Sequence, residues 1–282
     1  MRKNTFKALF LIFFFTLLLL NVFAQTTPQL HVTVSGHGKT QAIFIPGFSC
    51  PGQVWDETVD KFSKDLTCHV ITFPGFAGEP AQGEANLRDW ENGIATYIEK
   101  NKLNQVVLIG HSIGGGIVMS FAADHPELIS KIVVVDAVPY LNALFNPAAK
   151  ANPDADCSPM VKQFTGMSNE QLYQMQKQII PSMIADTSKI ATAIKWSMDS
   201  DRSTMGRIYC QFTNTDLREK IGKIKCPSLI LLEAPFQKQD TQLQQQYAAL
   251  QTKYIHYSTK GLHFIMYDDK DWFFQQLVTF LQ

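Results

Sequence analysis

The sequence Gly110-His111-Ser112-Ile113-Gly114 sets a hydroxyl between two glycines, where a strand-like apolar run from Gln105 gives way to a helix-like run from Ile113 to Ala123. A Gly-x-Ser-x-Gly order suits a strand-to-helix turn so sharp that only small residues fit beside the serine, and that turn lifts the hydroxyl into the open. The Ile113 N–H and the first turn of the following helix then face the place where an oxyanion would form. A phosphate-binding loop is the other chemistry such glycines could serve. No Lys follows them, however, and the dinucleotide spacing is missing. Ser112 is therefore read as a nucleophile.

A serine hydroxyl is a poor nucleophile near neutral pH, so the chemistry needs a base beside it and a third group to hold that base. Of the seven histidines, His263 is the best placed: it lies in Gly261-Leu262-His263-Phe264, between the last strand-like run and a closing amphipathic helix, Asp271 to Leu281. His31, His37 and His69 fall early, in or beside strand-like runs; His125 ends a helix and His256 lies inside a strand. His111 is the variable residue of the serine turn. With Ser49 it is expected to contact substrate.

Strand-like runs fall near residues 30 to 35, 41 to 46, 67 to 73, 105 to 110, 130 to 136, 227 to 233 and 253 to 257, with helix-like segments between most of them. The alternation predicts a mostly parallel sheet with helices on both faces, an α/β class. From about Pro139 to Ile221 the rhythm breaks, because this stretch holds helix formers, Gln, Met and aromatics but no convincing strand. The expected organisation is a core of residues 25–138 and 222–282 carrying a helical cap, 139–221.

The chain resembles the lid-bearing serine hydrolases of the α/β-hydrolase fold. The resemblance rests on four stretches in order: Phe44-Ile45-Pro46-Gly47-Phe48, like the family's oxyanion loop; Pro74-Gly75-Phe76-Ala77-Gly78, like its Pro-Gly-x-Gly turn; the Ser112 elbow; and the Gly-x-His-Phe ending. It implies that the backbone N–H groups of Phe48 and Ile113 stabilise the oxyanion, and Pro46, replacing the usual histidine, leaves that backbone donor in place. It also implies a carboxylate in a turn after the strand near 227 to 233. There the chain reads Glu233-Ala234-Pro235-Phe236, with Phe236 where the acid is expected. Asp136, closing the run Ile132 to Val135, and Asp240, four residues beyond Phe236, are the two substitutes, with Glu233 or water as the remaining choice. Relatives that attack with Asp, the dehalogenases and epoxide hydrolases, are excluded by Ser112.

The implied activity is acyl transfer to water from an ester or lactone, with no metal or organic cofactor. A lidded small-molecule receptor, and a peptidase or transacylase, are the alternatives on the same fold. If Met160, Met167, Met175, Met183, Met198 and Met205 face the site with Phe164, Tyr173 and Trp196, they favour an apolar substrate. At 45% apolar and 18% charged residues the chain is ordinary globular material, and no basic stripe suggests nucleic acid.

Arg2, Lys3 and Lys7 precede an apolar run and Val22-Phe23-Ala24, the pattern of a signal peptide, residues 1–24, cut near Ala24. Cleavage removes three basic residues and no acidic one, leaving a formal charge of −3 on an exported, periplasmic or secreted chain with no stable membrane insertion. The five cysteines, Cys50, Cys68, Cys157, Cys210 and Cys226, lack metal-ligand spacing and allow one or two disulfides. Neither their pairing nor the oligomeric state is legible.

Overall fold

The computed structural model describes residues 27–282. The signal-peptide reading of residues 1–24 lies outside the described residues. Seven strands form one sheet in the order β1-β3-β2-β4-β5-β6-β7. They are β1 (His31–Gly36), β2 (Thr40–Ile45), β3 (Leu66–Thr72), β4 (Val106–His111), β5 (Ile129–Val135), β6 (Ser228–Leu232) and β7 (Lys253–Tyr257). Each coincides with one apolar run of the sequence. All neighbours pair in parallel except β1, which runs antiparallel to β3 at the edge.

Period-two alternation divides the inner strands between two apolar layers. Ile43, Ile45, Leu108, Ile132 and Val134 pack on one face, and Ala42, Phe44, Val107, Val133 and Val135 on the other. Helices cover both faces, which is why β4 and the last part of β5 are buried without a break. The edge strands β1 and β7 keep exposed positions along their length.

The flanking helices are α1 (Asp56–Phe62), α2 (Leu87–Lys100), α3 (Ile113–Asp124), α8 (Asp240–Gln246), α9 (Ile265–Asp268) and α10 (Lys270–Leu281). Among them α3 is buried along nearly its whole length, so its sequence carries no polar face. Trp90 of α2 stacks on Phe73 with ring centroids 4.1 Å apart, fixing that helix to the end of β3.

Between β5 and β6 the described chain contains helices only: α4 (Ser158–Gly166), α5 (Asn169–Ile179), α6 (Thr187–Asp199) and α7 (Arg202–Thr213), with short 3₁₀ turns. They lie over the carboxyl ends of the strands and roof the central cavity. Cys157, at the N-cap of α4, is disulfide-bonded to Cys210 of α7, closing a loop with a sequence separation of 53. Cys50, Cys68 and Cys226 are free and buried. Replacing both Cys157 and Cys210 by serine is expected to lower unfolding stability by about 2 to 4 kcal/mol, because the link restricts the unfolded chain. A guanidinium titration measures it, and an unchanged midpoint contradicts it.

Candidate active site

Every candidate group follows the carboxyl end of a parallel strand, where open α/β sheets leave a crevice. Phe48 follows β2, Ser112 follows β4, Asp136 follows β5, Glu233 follows β6, and His263 lies beyond β7. The sheet brings together residues that are more than 200 positions apart in the chain.

Ser112 has φ 56° and ψ −123°, a strained conformation for a residue with a side chain. Close packing imposes the turn. A Cβ on Gly110 would lie 2.3 Å from the Gly114 carbonyl oxygen, and one on Gly114 would lie 2.5 Å from the carbonyl oxygens of Ile45 and Pro46. The Ser112 N–H donates to the Val135 carbonyl at 2.9 Å, anchoring the turn to the strand that delivers Asp136. Asp136 and Ser49 also have left-handed φ, 47° and 58°. Among the described residues with such a φ, Ser112 and Asp136 line the same crevice and Ser49 adjoins its Phe48.

The carboxylate of Asp136 is buried, and both of its oxygens are used. The Nδ1–H of His263 donates to Oδ2 at 2.5 Å, and the Glu233 backbone N–H donates to Oδ1 at 2.7 Å. Holding the proton on Nδ1 leaves Nε2 of His263 free as a proton acceptor. Burial alone would depress the imidazole pKa, but the hydrogen bond and charge of Asp136, with a smaller contribution from Glu233, raise it above the ordinary histidine value. Asp240 is elsewhere. It accepts from the Tyr257 hydroxyl at 2.6 Å and from Gln244 at 3.2 Å, and those bonds hold its carboxyl below the usual range.

The histidine loop is pinned by two further aspartates, Asp268 and Asp269. Asp269 accepts from the hydroxyls of Ser258 and Thr259 and from the Thr259 N–H. Asp268 accepts from the Leu262 N–H at 3.0 Å and, with its other oxygen, from the N–H groups of Ala185 and Asp186 in the cap. The Phe264 N–H donates to the Met183 carbonyl, so the loop that carries His263 and the cap are joined directly. An Asp-Asp pair ahead of a helix resembles ordinary capping, and for this reason the sequence does not single it out.

His111 lines the cavity and also bonds the His263 loop, whereas Ser49 is not on the cavity wall. His111 is buried, its Nε2–H donates to the His263 carbonyl at 2.9 Å, and Nδ1 has no partner. Burial first, then the neighbouring His263 charge, keeps its pKa well below the ordinary value, so the ring is neutral. It borders the cavity but its bond supports the His263 loop. Ser49 is buried behind the oxyanion turn and is not among the cavity-lining residues, which include its neighbours Phe48 and Cys50. Burial pushes the Cys50 thiol up to about 12, so no thiolate competes with the serine.

Ser112, Ile113, Phe48, Asp136 and His263 all line one cavity of about 840 Å³. That volume is in the range of small-molecule sites. The cap supplies Met160, Phe164, Met175, Met183, Tyr209 and Phe212, and no Lys or Arg is among the lining residues. Met205, by contrast, is packed in the core, and Met167, Met198, Tyr173 and Trp196 are not on the cavity wall. A second cavity, about 710 Å³, lies between α2, α3 and the cap. Its charged groups are largely paired with one another or with near neighbours, as in Lys220 to Asp124 and Arg207 to Glu84.

Comparison with known proteins agrees with this architecture. The alpha/beta hydrolase family model matches residues 42–276. The chain belongs to that family. It is 25% identical over 209 residues to a pimeloyl-[acyl-carrier protein] methyl ester esterase of Vibrio cholerae, covering 73% of this chain and 79% of the relative. With the corresponding protein of Vibrio atlanticus it shares 27% over 203 residues, 70% of this chain and 76% of that one. Among solved structures, the enol-lactonase of Burkholderia xenovorans superposes with a TM-score of 0.74 at 15% identity, over 89% of this chain and 96% of the other. An esterase of Exiguobacterium antarcticum gives 0.73 at 15% identity, over 89% and 94%. These structural likenesses establish the fold. Family, fold and elbow serine together define a serine hydrolase of the carboxylesterase-like kind.

Proposed function

We propose that the protein is an exported esterase or lactonase that hydrolyses a fairly apolar small molecule through an acyl-serine intermediate. The observation that carries this reading is the His263–Asp136 pair, opening with Ser112 into one apolar cavity. In the proposed cycle Nε2 of His263 takes the Ser112 proton as the hydroxyl oxygen attacks the acyl carbon. The N–H groups of Phe48 and Ile113 stabilise the oxyanion, and losing one such donor typically costs about 3 kcal/mol of transition-state stabilisation. The imidazolium then gives its proton to the leaving alkoxide. Water repeats the sequence, with His263 as base, to release the acid and restore the serine.

The similar proteins are named as a methyl ester esterase and an enol-lactonase, and both substrate classes suit this cycle. A lidded receptor on the same fold needs no oriented base, so the Asp136–His263 hydrogen bond supports the hydrolase reading over it. An oxidising compartment accords with the Cys157–Cys210 disulfide, which supports export together with the signal-peptide pattern.

Initial rates on p-nitrophenyl esters of increasing chain length, a simple lactone and matched p-nitroanilides test the substrate reading. The kcat/KM is expected to rise at least about tenfold from acetate to octanoate, since burial of only about two of the added methylenes, at about 0.8 kcal/mol each, gives that ratio. The anilides should be turned over far more slowly. A profile that falls with chain length contradicts the apolar pocket as the binding site, and faster anilide cleavage favours the peptidase alternative.

A further inference from the structure

Glu233 lies at the end of β6, beside the pair on which the proposed chemistry depends. Its backbone N–H holds Oδ1 of Asp136 at 2.7 Å, so the main chain at this position is part of the frame that orients His263. Its side chain lines the same cavity as Ser112 and His263, and among the described residues it makes no hydrogen bond. No Lys or Arg lines the cavity to neutralise it. A half-buried carboxyl in an apolar wall, with no cation to pair with, is governed by its burial and by the ionisable groups that share the cavity. Those are Asp136, which opposes its charge, and His263, the one that can become positive.

We propose that Glu233 is a positioning residue whose charge sets the pH range in which His263 acts as a base. The proposal rests on His263 being the base of the hydrolytic cycle described above. Its electrostatic surroundings are few. Asp136 faces it from β5 and His263 from the loop after β7. His111, neutral, lies behind the His263 ring. Tyr247 donates its hydroxyl to the Ala137 carbonyl at 2.5 Å, Asp240 is bonded to Tyr257, and the cap contributes Tyr209 with uncharged glutamines and serines. Lys238, in the turn after β6, is exposed and does not line the cavity.

Burial, and then the Asp136 charge, push the Glu233 carboxyl up to about 7, while a protonated His263 pulls it down. The ionisations of Glu233 and His263 are therefore linked, each depending on the other. When Glu233 is charged it favours the imidazolium and so removes free base. When it is protonated that bias disappears. The acid limb of activity is accordingly spread over two linked protonations and lies higher than His263 with Asp136 alone would place it.

The test is the pH dependence of kcat/KM on p-nitrophenyl butyrate from pH 5 to 9 for the full mature chain, Glu233→Gln and Glu233→Asp. The glutamine variant is expected to show a single proton step centred lower by about one pH unit, the size of effect that a nearby opposite charge has on an imidazole. Glu233→Asp should restore part of the displacement. Superimposable profiles overturn the proposal. A uniform loss of about 10³-fold or more without a displaced limb overturns it too, because it would make Glu233 an essential orienting acid. Labelling of Ser112 by a fluorophosphonate, run on all three proteins, separates the two levels: labelling with no shift removes only the role of Glu233, whereas no labelling of the folded parent removes the hydrolase reading beneath it.

Discussion

Replacing Asp136 by Asn is expected to lower kcat by about 10⁴-fold, by analogy with carboxamide substitution in a serine triad. The carboxamide can still fill the buried site and can still accept the Glu233 N–H through its oxygen. What it loses is the negative charge and the pure acceptor facing Nδ1 of His263, a contact of 2.5 Å in the structure. An amide NH₂ turned toward the ring favours the tautomer with the proton on Nε2, where the base must be free. Asp240→Asn, by contrast, should leave kcat within about twofold, because its partners are Tyr257 and Gln244 and the cavity wall excludes it. Steady-state rates on one activated ester compare the two. Equal small losses would overturn the assignment of the acid, and a larger loss at Asp240 would reverse it.

Ser112→Ala should abolish turnover of unactivated esters, with a loss on the order of 10⁶-fold, comparable to removal of a serine-protease nucleophile. The variant should remain folded, since alanine keeps the Cβ and removes only the hydroxyl. It inherits the same left-handed backbone at φ 56°. The Val135 and Gly110–Gly114 contacts that impose the turn are main-chain contacts and survive the change. Substrate analogues should still enter the cavity, because its apolar lining is untouched. Retention of more than about 1% of the parent rate, after correction for contamination, would mean that another group attacks.

Much of the framework is readable in the chain because inner strands of a parallel sheet are buried on both faces and appear as short apolar runs. Ser112 and His263 could be named because backbone shape marks them: the first needs two glycines, and the second follows the last parallel strand. The acid could not be chosen in the same way. Asp136 and Asp240 are both near strand ends in sequence, and the decision lies in how residues 234–239 wind. They form a 3₁₀ turn that carries Asp240 toward Tyr257 instead of folding back to His263. That outcome depends on packing between segments, which local residue preferences do not encode.

Ser49 illustrates a related limit. Adjacency to a nucleophile or an oxyanion turn suggests contact with substrate, yet successive side chains at such turns point in different directions. Ser49 is buried and does not line the cavity, whereas its fellow candidate His111 does. The disulfide was equally hidden, since Cys157 and Cys210 meet only once α4 and α7 pack.

The central claim is that Ser112 is an activated nucleophile served by His263 and Asp136. Its most direct measurement is reaction of the purified protein with a fluorophosphonate, followed by intact mass and peptide mapping. The account predicts one covalent adduct per chain, located on Ser112, formed more slowly as pH falls and His263 becomes protonated, and strongly suppressed in Asp136→Asn. A folded protein that takes up no probe at Ser112, or takes it up elsewhere, would contradict the account.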